Sequence, residues 1–366
     1  MTPSTDTSRI DPAATPPDDA RTRRTGPVRR TARFLAICFG WLGIVGATGW
    51  MGLAVYYSDR HSAPPRLWTA LLVTAGSLAA AILIKPRRRG VVVFLLAFSG
   101  TIAWFLTLRP SSSLDWAADV ARMPTATVDG NLVRIRNVRN FQYRSETDFT
   151  PVYEDRTYDL SKLRSLDYVL SYWSGRAIAH AFVSFGFEDG SYVAVSIETR
   201  KEKSESYSAV EGFFRQYELI YVVADERDLI GLRAAHRGED VYLFRLRTPI
   251  SKVRAVFLDY VHTVNSLNER PQFYNALTAN CTTSILTHLR RVPPYPPFSM
   301  KVLISGYSSQ FAYESGALDP SLTFDELQAR GRVTDRAKAA MDDANFSARI
   351  REGVPMPPPM DPPPAD

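Results

Sequence analysis

Three uncharged, strongly apolar stretches open the hydropathy pattern, at residues 34–57, 67–84 and 90–108. A bilayer crossing needs about 20 apolar residues, so the first stretch spans comfortably and the shorter two are candidates. No convincing cleavage site follows the first, which reads as a retained anchor rather than a removable signal. Past residue 109 the pattern changes scale. Residues 110–130 read as a linker, 132–143 alternate weakly as a strand, and 161–172 read as a short helix. Residues 177–200, "AIAHAFVSFGFEDGSYVAVSIETR", form a β-hairpin around Glu188, Asp189 and Gly190. Residues 218–224 and 241–247 are further strands, and 225–235 a short helix with acidic residues at its start. Apolar positions recur at helical spacing across 251–268, a helix that Ser251 can cap. Another helix opens at Cys281 and ends near Arg290. The sum is an α+β domain (131–355) behind three membrane helices (34–109). A disordered basic tail precedes them (1–33), and a proline-rich tail ends the chain (356–366).

The hairpin register follows from packing. A three-residue loop with Gly190 in the left-handed conformation pairs Phe187 with Ser191, Phe185 with Val193, Val183 with Val195 and Ala181 with Ile197. That face is apolar throughout, as a buried sheet face requires. The opposite face then sets Gly186 against Tyr192, Ser184 against Ala194, Phe182 against Ser196, and His180 against Glu198. A two-residue loop would move Glu198 to the other face.

Charge changes the picture of what the chain meets. The formal net charge is +6. Up to Arg109 the balance is about +9, so the remainder is about −3, and a membrane accounts for the basic excess better than a nucleic acid does. Arg21, Arg23, Arg24, Arg29, Arg30 and Arg33 precede the first span, and Lys85, Arg87, Arg88 and Arg89 fill the turn before the third. The other short loop carries only Arg60 and Arg66. Cytoplasmic loops hold the Lys/Arg excess, so the N-terminus is expected inside and everything after residue 108 outside. The predicted location is the cytoplasmic membrane, multi-pass, with a periplasmic or equivalent domain.

The chain has two cysteines, too few for a disulfide framework. Cys38 fills a membrane span. Cys281 sits in "LTANCTTSIL" at a helix start, where the positive end of the helix dipole favours a thiolate. Asn280 can cap that helix and its amide is a candidate oxyanion support. His180 is the best base, with Glu198 as its candidate orienting acid, which together make the Cys–His–acid set of nucleophilic acyl transfer. His288 shares a helix face with Cys281 but lies two turns away, roughly 10 Å. His61 falls in the first outer loop, and His236 and His262 lack an evident partner. Asp225, Glu226 and Asp228 read as ordinary first-turn acids rather than as metal ligands. No cofactor is called for.

Four separated blocks, "HAFVSFGFEDGSYVAVSIETR", "YELIYVVADERDLIGLR", "FYNALTANCTT" and "FSARIREGVP", together resemble the Lnb-type family over roughly residues 138–355. Its founding members are bacterial lipoprotein intramolecular acyltransferases. The resemblance implies a papain-like thiol domain facing outward from the cytoplasmic membrane. The family's cysteine and histidine match Cys281 and His180. The histidine comes first, by about 100 residues, similar to the permuted papain-like enzymes. The resemblance does not supply a third residue, so Glu198 rests on the register argument. It implies membrane lipids or lipoproteins as substrates, handled through a thioester on Cys281. An envelope peptidase or amidase would use the same chemistry, and a non-catalytic anchored binding protein could keep the same fold. The stretch "RVPPYPPFSMKVLISGY" offers Tyr295, Phe298, Met300, Val302 and Leu303 either to the membrane interface or to the core.

Overall fold

The computed structural model describes residues 1–2, 27–58, 63–293, 296–297 and 299–358. The chain divides into two compact units, Met1–Gly52 with Leu71–Phe98, and Leu53–Ala70 with Ser99–Asp366.

The apolar stretches are helices α1 (Pro27–Ser58), α2 (Ala63–Leu83) and α3 (Arg87–Thr107). All three are long and apolar enough to cross a membrane. Residues 27–33, expected to belong to the tail, are the first turns of α1. Within the first unit, Met51, Ala81 and Phe94 form a small buried cluster. Trp50 meets Phe98 edge-on at 5.9 Å.

The second unit is built on a mixed sheet. Its strands are β1 (Thr125–Asp129), β2 (Leu132–Arg139), β5 (Tyr153–Asp159), β6 (Leu163–Ser174), β7 (Ile178–Phe187), β8 (Tyr192–Arg200), β9 (Glu218–Ala224) and β10 (Asp240–Arg245). A two-stranded flap of β3 (Gln142–Tyr143) and β4 (Phe149–Thr150) lies apart from it. The order is β1-β2-β9-β8-β7-β6-β10, with β5 on β2. All pairings are antiparallel except β2 with β9, which touch in parallel at Arg139 and Ala224.

Helices cover both faces. On one lie α4 (Ile250–Glu269) and α5 (Cys281–Arg290). There Val183, Phe185, Val195 and Ile197 share a core with Val256, Phe257, Tyr260 and Ile285. On the other lie the turn Arg227–His236 and short C-terminal helices. Phe182, Ala194 and Val222 pack there against Leu229, Ile230, Val333, Phe346 and Ile350. The domain is α+β, as the pattern predicts.

The hairpin has the expected register. Phe182–Ser196, Val183–Val195, Ser184–Ala194, Phe185–Val193 and Gly186–Tyr192 are partners. Phe187 donates its N–H to the Ser191 carbonyl at 2.9 Å, and Gly190 takes φ +81°, a conformation that favours glycine. The ladder ends at Phe182–Ser196. Ala181–Ile197 and His180–Glu198 therefore lie past its last pair.

Four expectations need correction. Of residues 161–172 only the first two are helical, in the short 3-10 turn Leu160–Lys162; the rest fall in β6. Leu163, Leu166 and Leu170 imitate helical spacing because the strand shifts register near Ser165. It is also buried on both faces from Leu166 to Ser171, which erases the alternation that betrays a strand. Residues 110–130 are no free linker, because Trp116 and Val120 are buried and β1 pairs with β2. Helix α4 begins one residue before Ser251, with Pro249 at the cap position and no side-chain cap. The segment 225–235 is a wide π-helical turn in which the Arg237 N–H bonds five residues back to the Leu232 carbonyl at 3.0 Å.

Candidate active site

Cys281 is the first residue of α5. Asn280 caps the helix: its Oδ1 accepts from the Thr283 N–H at 2.9 Å, and the Thr283 hydroxyl accepts from the Asn280 N–H at 3.1 Å. This reciprocal box fixes where the helix starts. The Asn280 Nδ2 donates to the Ala276 carbonyl at 2.7 Å, so the side chain sets the nucleophile helix on the loop before it.

His180 stands near the start of β7, just past the last β7–β8 ladder pair. Its strand end is clamped by the segment Ser305–Tyr307. The Ala179 N–H donates to Ser305 Oγ at 3.0 Å, and the Gly306 N–H donates to the Ala177 carbonyl at 3.1 Å. Only a glycine fits at 306, because a Cβ there would lie 2.1 Å from the Arg176 carbonyl oxygen.

The side chains converge. His180 Nε2 lies 2.7 Å from Ser196 Oγ and 3.2 Å from Glu198 Oε1. Ser196 donates to Glu198 at 2.6 Å. Cys281 lies beside His180, close enough that each side chain acts on the other's protonation. Glu198 is held in turn by Arg233, whose NH2 donates at 2.8 Å. Arg233 is buried, lies over the Phe182 ring at 5.1 Å and donates to the Leu229 carbonyl. The wide turn delivers this arginine to the sheet. Tyr207 and Tyr274 lie near the thiol, within reach of its charge.

The electrostatics are those of an ion pair. Burial works against the thiolate, but His180, through charge and hydrogen bond, and the Ala181 N–H outweigh it, so the Cys281 pKa falls below its ordinary value. Burial likewise opposes an imidazolium, yet Glu198, with help from the thiolate, lifts His180 to about 9 against the opposing charge of Arg233. Burial would raise Glu198, but His180 and Arg233 hold it well below the usual carboxylate range.

The structure thus brings together Cys281, His180 and Glu198, with Asn280 as the cap. Sequence reasoning missed Ser196 and Arg233. Ser196 was within reach, since the register sets it on the Glu198 face. Arg233 had no local signal, because only the π-helical geometry brings it across.

His288 belongs elsewhere. Its Nδ1 meets Asp259 Oδ2 at 2.5 Å and its Nε2 meets the Tyr221 hydroxyl at 2.9 Å. The acids near 225 are ion-pair partners. Asp225 bonds Arg156 at 2.8 Å, Glu226 bonds Arg351 at 2.5 Å, and Asp228 bonds Arg139 at 2.6 Å. His236 stacks beside Tyr143 and His262 is exposed. Val302 is buried in the core and Met300 is exposed; His61, Tyr295 and Phe298 lie outside the described residues.

A mostly apolar cavity of about 210 Å³ begins at Thr282, the residue after Cys281. Tyr168, Ile285, Leu286, Val302 and Phe311 are among its walls.

No curated protein and no solved structure matches the chain. Residues 149–306 match the family model described as the Lnb N-terminal periplasmic domain, and Cys281, His180, Ser196, Glu198, Arg233 and Asn280 all fall inside that range. With helices before it long and apolar enough to cross a membrane, this is a membrane-anchored chain whose extracytoplasmic part is similar to the Lnb N-terminal periplasmic domain over those residues.

Proposed function

We propose that this protein is a thiol enzyme of the acyl-transfer class, working on lipid or lipoprotein acyl groups at the outer face of the cytoplasmic membrane. The arginines before α1 and the basic turn before α3 support a multi-pass topology with the N-terminus inside.

The single observation that carries the reading is the Cys281–His180 pair, side by side and backed by Ser196, Glu198 and Arg233. The Cys281 thiolate attacks the acyl carbonyl carbon, and a first-turn amide of α5, the Cys281 N–H, receives the oxyanion. The tetrahedral intermediate collapses, breaking the ester C–O bond, and His180 gives its proton to the departing alkoxide. An amine or water then attacks the thioester, His180 takes the attacking group's proton, and the thiolate leaves. Glu198 keeps the imidazolium oriented through Ser196 and its own carboxylate, and Arg233 holds Glu198. Base before nucleophile is the chain order of the permuted papain-like layout. The hydrocarbon lining of the cavity at Thr282 favours an acyl chain over a peptide.

The test is the alkylation rate of Cys281 against pH on the full-length protein in detergent, with intact mass identifying the labelled residue. The half-maximal rate is expected below the free thiol's value of about 8.5. His180→Ala removes the charge that lowers the thiol pKa, so the midpoint should move up. An unshifted Cys281, indifferent to the histidine, would end the enzyme reading. Supplied with vesicles of diacylated lipopeptide, the enzyme is expected to gain the mass of a fatty acyl group on Cys281, released by hydroxylamine.

A further inference from the structure

The segment from Tyr207 to Arg215 joins two parts of the second unit. At one end it meets the ends of the apolar helices. Phe214 stacks on Tyr57 with ring centroids 5.8 Å apart, and its carbonyl accepts from the Ser58 hydroxyl at 2.8 Å. Arg215 donates to the carbonyls of Phe105 at 2.8 Å and Leu108 at 3.2 Å, at the end of α3, and its guanidinium covers the Phe105 ring. The last carbonyls of a helix lack partners within it, and this arginine supplies one.

Two residues earlier the segment meets the loop before α5. The Gly212 carbonyl accepts from the Ala276 N–H at 2.9 Å, Asn280 holds the Ala276 carbonyl, and Asn280 starts the Cys281 helix. Summed along this path, Phe214 and Cys281 are no further apart than roughly 20 Å.

Around these contacts the segment turns apolar side chains outward. Val210 is 47% exposed, Phe213 41% and Tyr207 50%. Trp173, half exposed, stands edge-on to Tyr207 at 6.3 Å, and Leu277, next to Ala276, is exposed too. Contiguous exposed apolar surface marks an interaction site. Aromatic residues with a basic group are the composition that settles at headgroup level. Here the partner is identified by continuity, since the same nine residues grip the ends of two helices long enough to span a bilayer.

We infer that Tyr207, Val210, Phe213, Trp173 and Leu277 form a lipid-facing surface that rests in the headgroup region of the bilayer and holds the Cys281 cleft at the membrane plane. The inference rests on the proposed multi-pass topology and is independent of the acyl chemistry.

The test uses full-length protein in sealed vesicles of phosphatidylethanolamine and phosphatidylglycerol. Cys38 and Cys281 are changed to Ser, and nitroxide labels are placed through Val210→Cys, Phe213→Cys and, as reference, Val128→Cys on β1. Labels at 210 and 213 are expected to collide severalfold more with oxygen, and severalfold less with a water-soluble nickel chelate, than the label at 128. Equal accessibility at all three positions overturns the surface. A membrane-impermeant maleimide on whole spheroplasts reads the topology separately: a labelled 128 places the domain outside, whatever the depth measurement gives. In unlabelled protein with both cysteines intact, Val210→Asp with Phe213→Asp should slow turnover of vesicle-borne lipopeptide and leave alkylation of Cys281 by a small soluble reagent unchanged. Equal turnover by this double variant would also count against it.

Discussion

Glu198 touches no substrate in the mechanism above, and its effect must pass through His180. Removing its charge takes away what lifts the imidazole to about 9, and Arg233 remains to push the other way. Glu198→Gln is therefore expected to lower the His180 pKa, visible as a downfield-to-upfield ring-proton transition that moves to lower pH. Thiol alkylation should lose its low-pH plateau in the same variant, because the thiolate loses its counter-charge. A transition left in place would mean that Ser196 alone positions the ring. At this scale much of the site is legible in the sequence. Cys281 announces itself by standing alone behind a capping asparagine, and the hairpin register sets His180 opposite Glu198. Arg233 stays hidden because ordinary α-helical spacing does not reveal which side chain a π-helical turn presents.

Helix α5 depends on more than its cap. His288 is buried between Tyr221 and Asp259, which also accepts from Arg291 at 2.8 Å. Burial lowers the His288 pKa despite Asp259, so the unfolded chain takes up this proton more readily than the folded one. Its contribution is complete above the unfolded pKa of about 6.5 and is lost as pH falls through the lowered folded value. Denaturant midpoints at pH 7.5 and pH 5 should fall further for the native chain than for His288→Gln, whose side chain does not titrate. Parallel losses would show that α5 is not the acid-sensitive element. Elements proved readable where one face is dry and the other wet, as in α4, while the β7–β8 hairpin, buried on both faces, was readable from its glycine turn. They misled where both faces are covered, as in β6, since periodicity reports a contrast that two-sided burial removes.

The whole domain is closed by an arginine near the end of its last helix. Arg351 donates to Asp167 at 2.7 Å and to Glu226 at 2.5 Å. Asp167 lies on β6 and Glu226 just before the wide turn, so one side chain ties the C-terminal helices to the sheet face they cover. Arg351→Ala would leave two buried carboxylates facing each other, and breaking such a set costs about 3–5 kcal/mol. A thermal or denaturant transition lowered to that degree is expected. A loss under about 1 kcal/mol would put the site in the class of exposed pairs. The block "FSARIREGVP" is legible as a resemblance, but its purpose is not, because its partners lie at residues 167 and 226, far along the chain.

This clasp also orders events in time. Synthesis runs from N- to C-terminus, so the anchor is in place and residues 180, 198 and 281 have emerged before residue 351 does. Until then Asp167 and Glu226 have no counter-charge from the C-terminal helices. The wide turn carrying Arg233 lacks its cover of Val333, Phe346 and Ile350. The brace behind Glu198 is thus among the last parts to become rigid. A chain still being made carries Cys281 and His180 before the support behind Glu198 is in place, and under the proposed function the thiol would come to full reactivity only when the domain has shut.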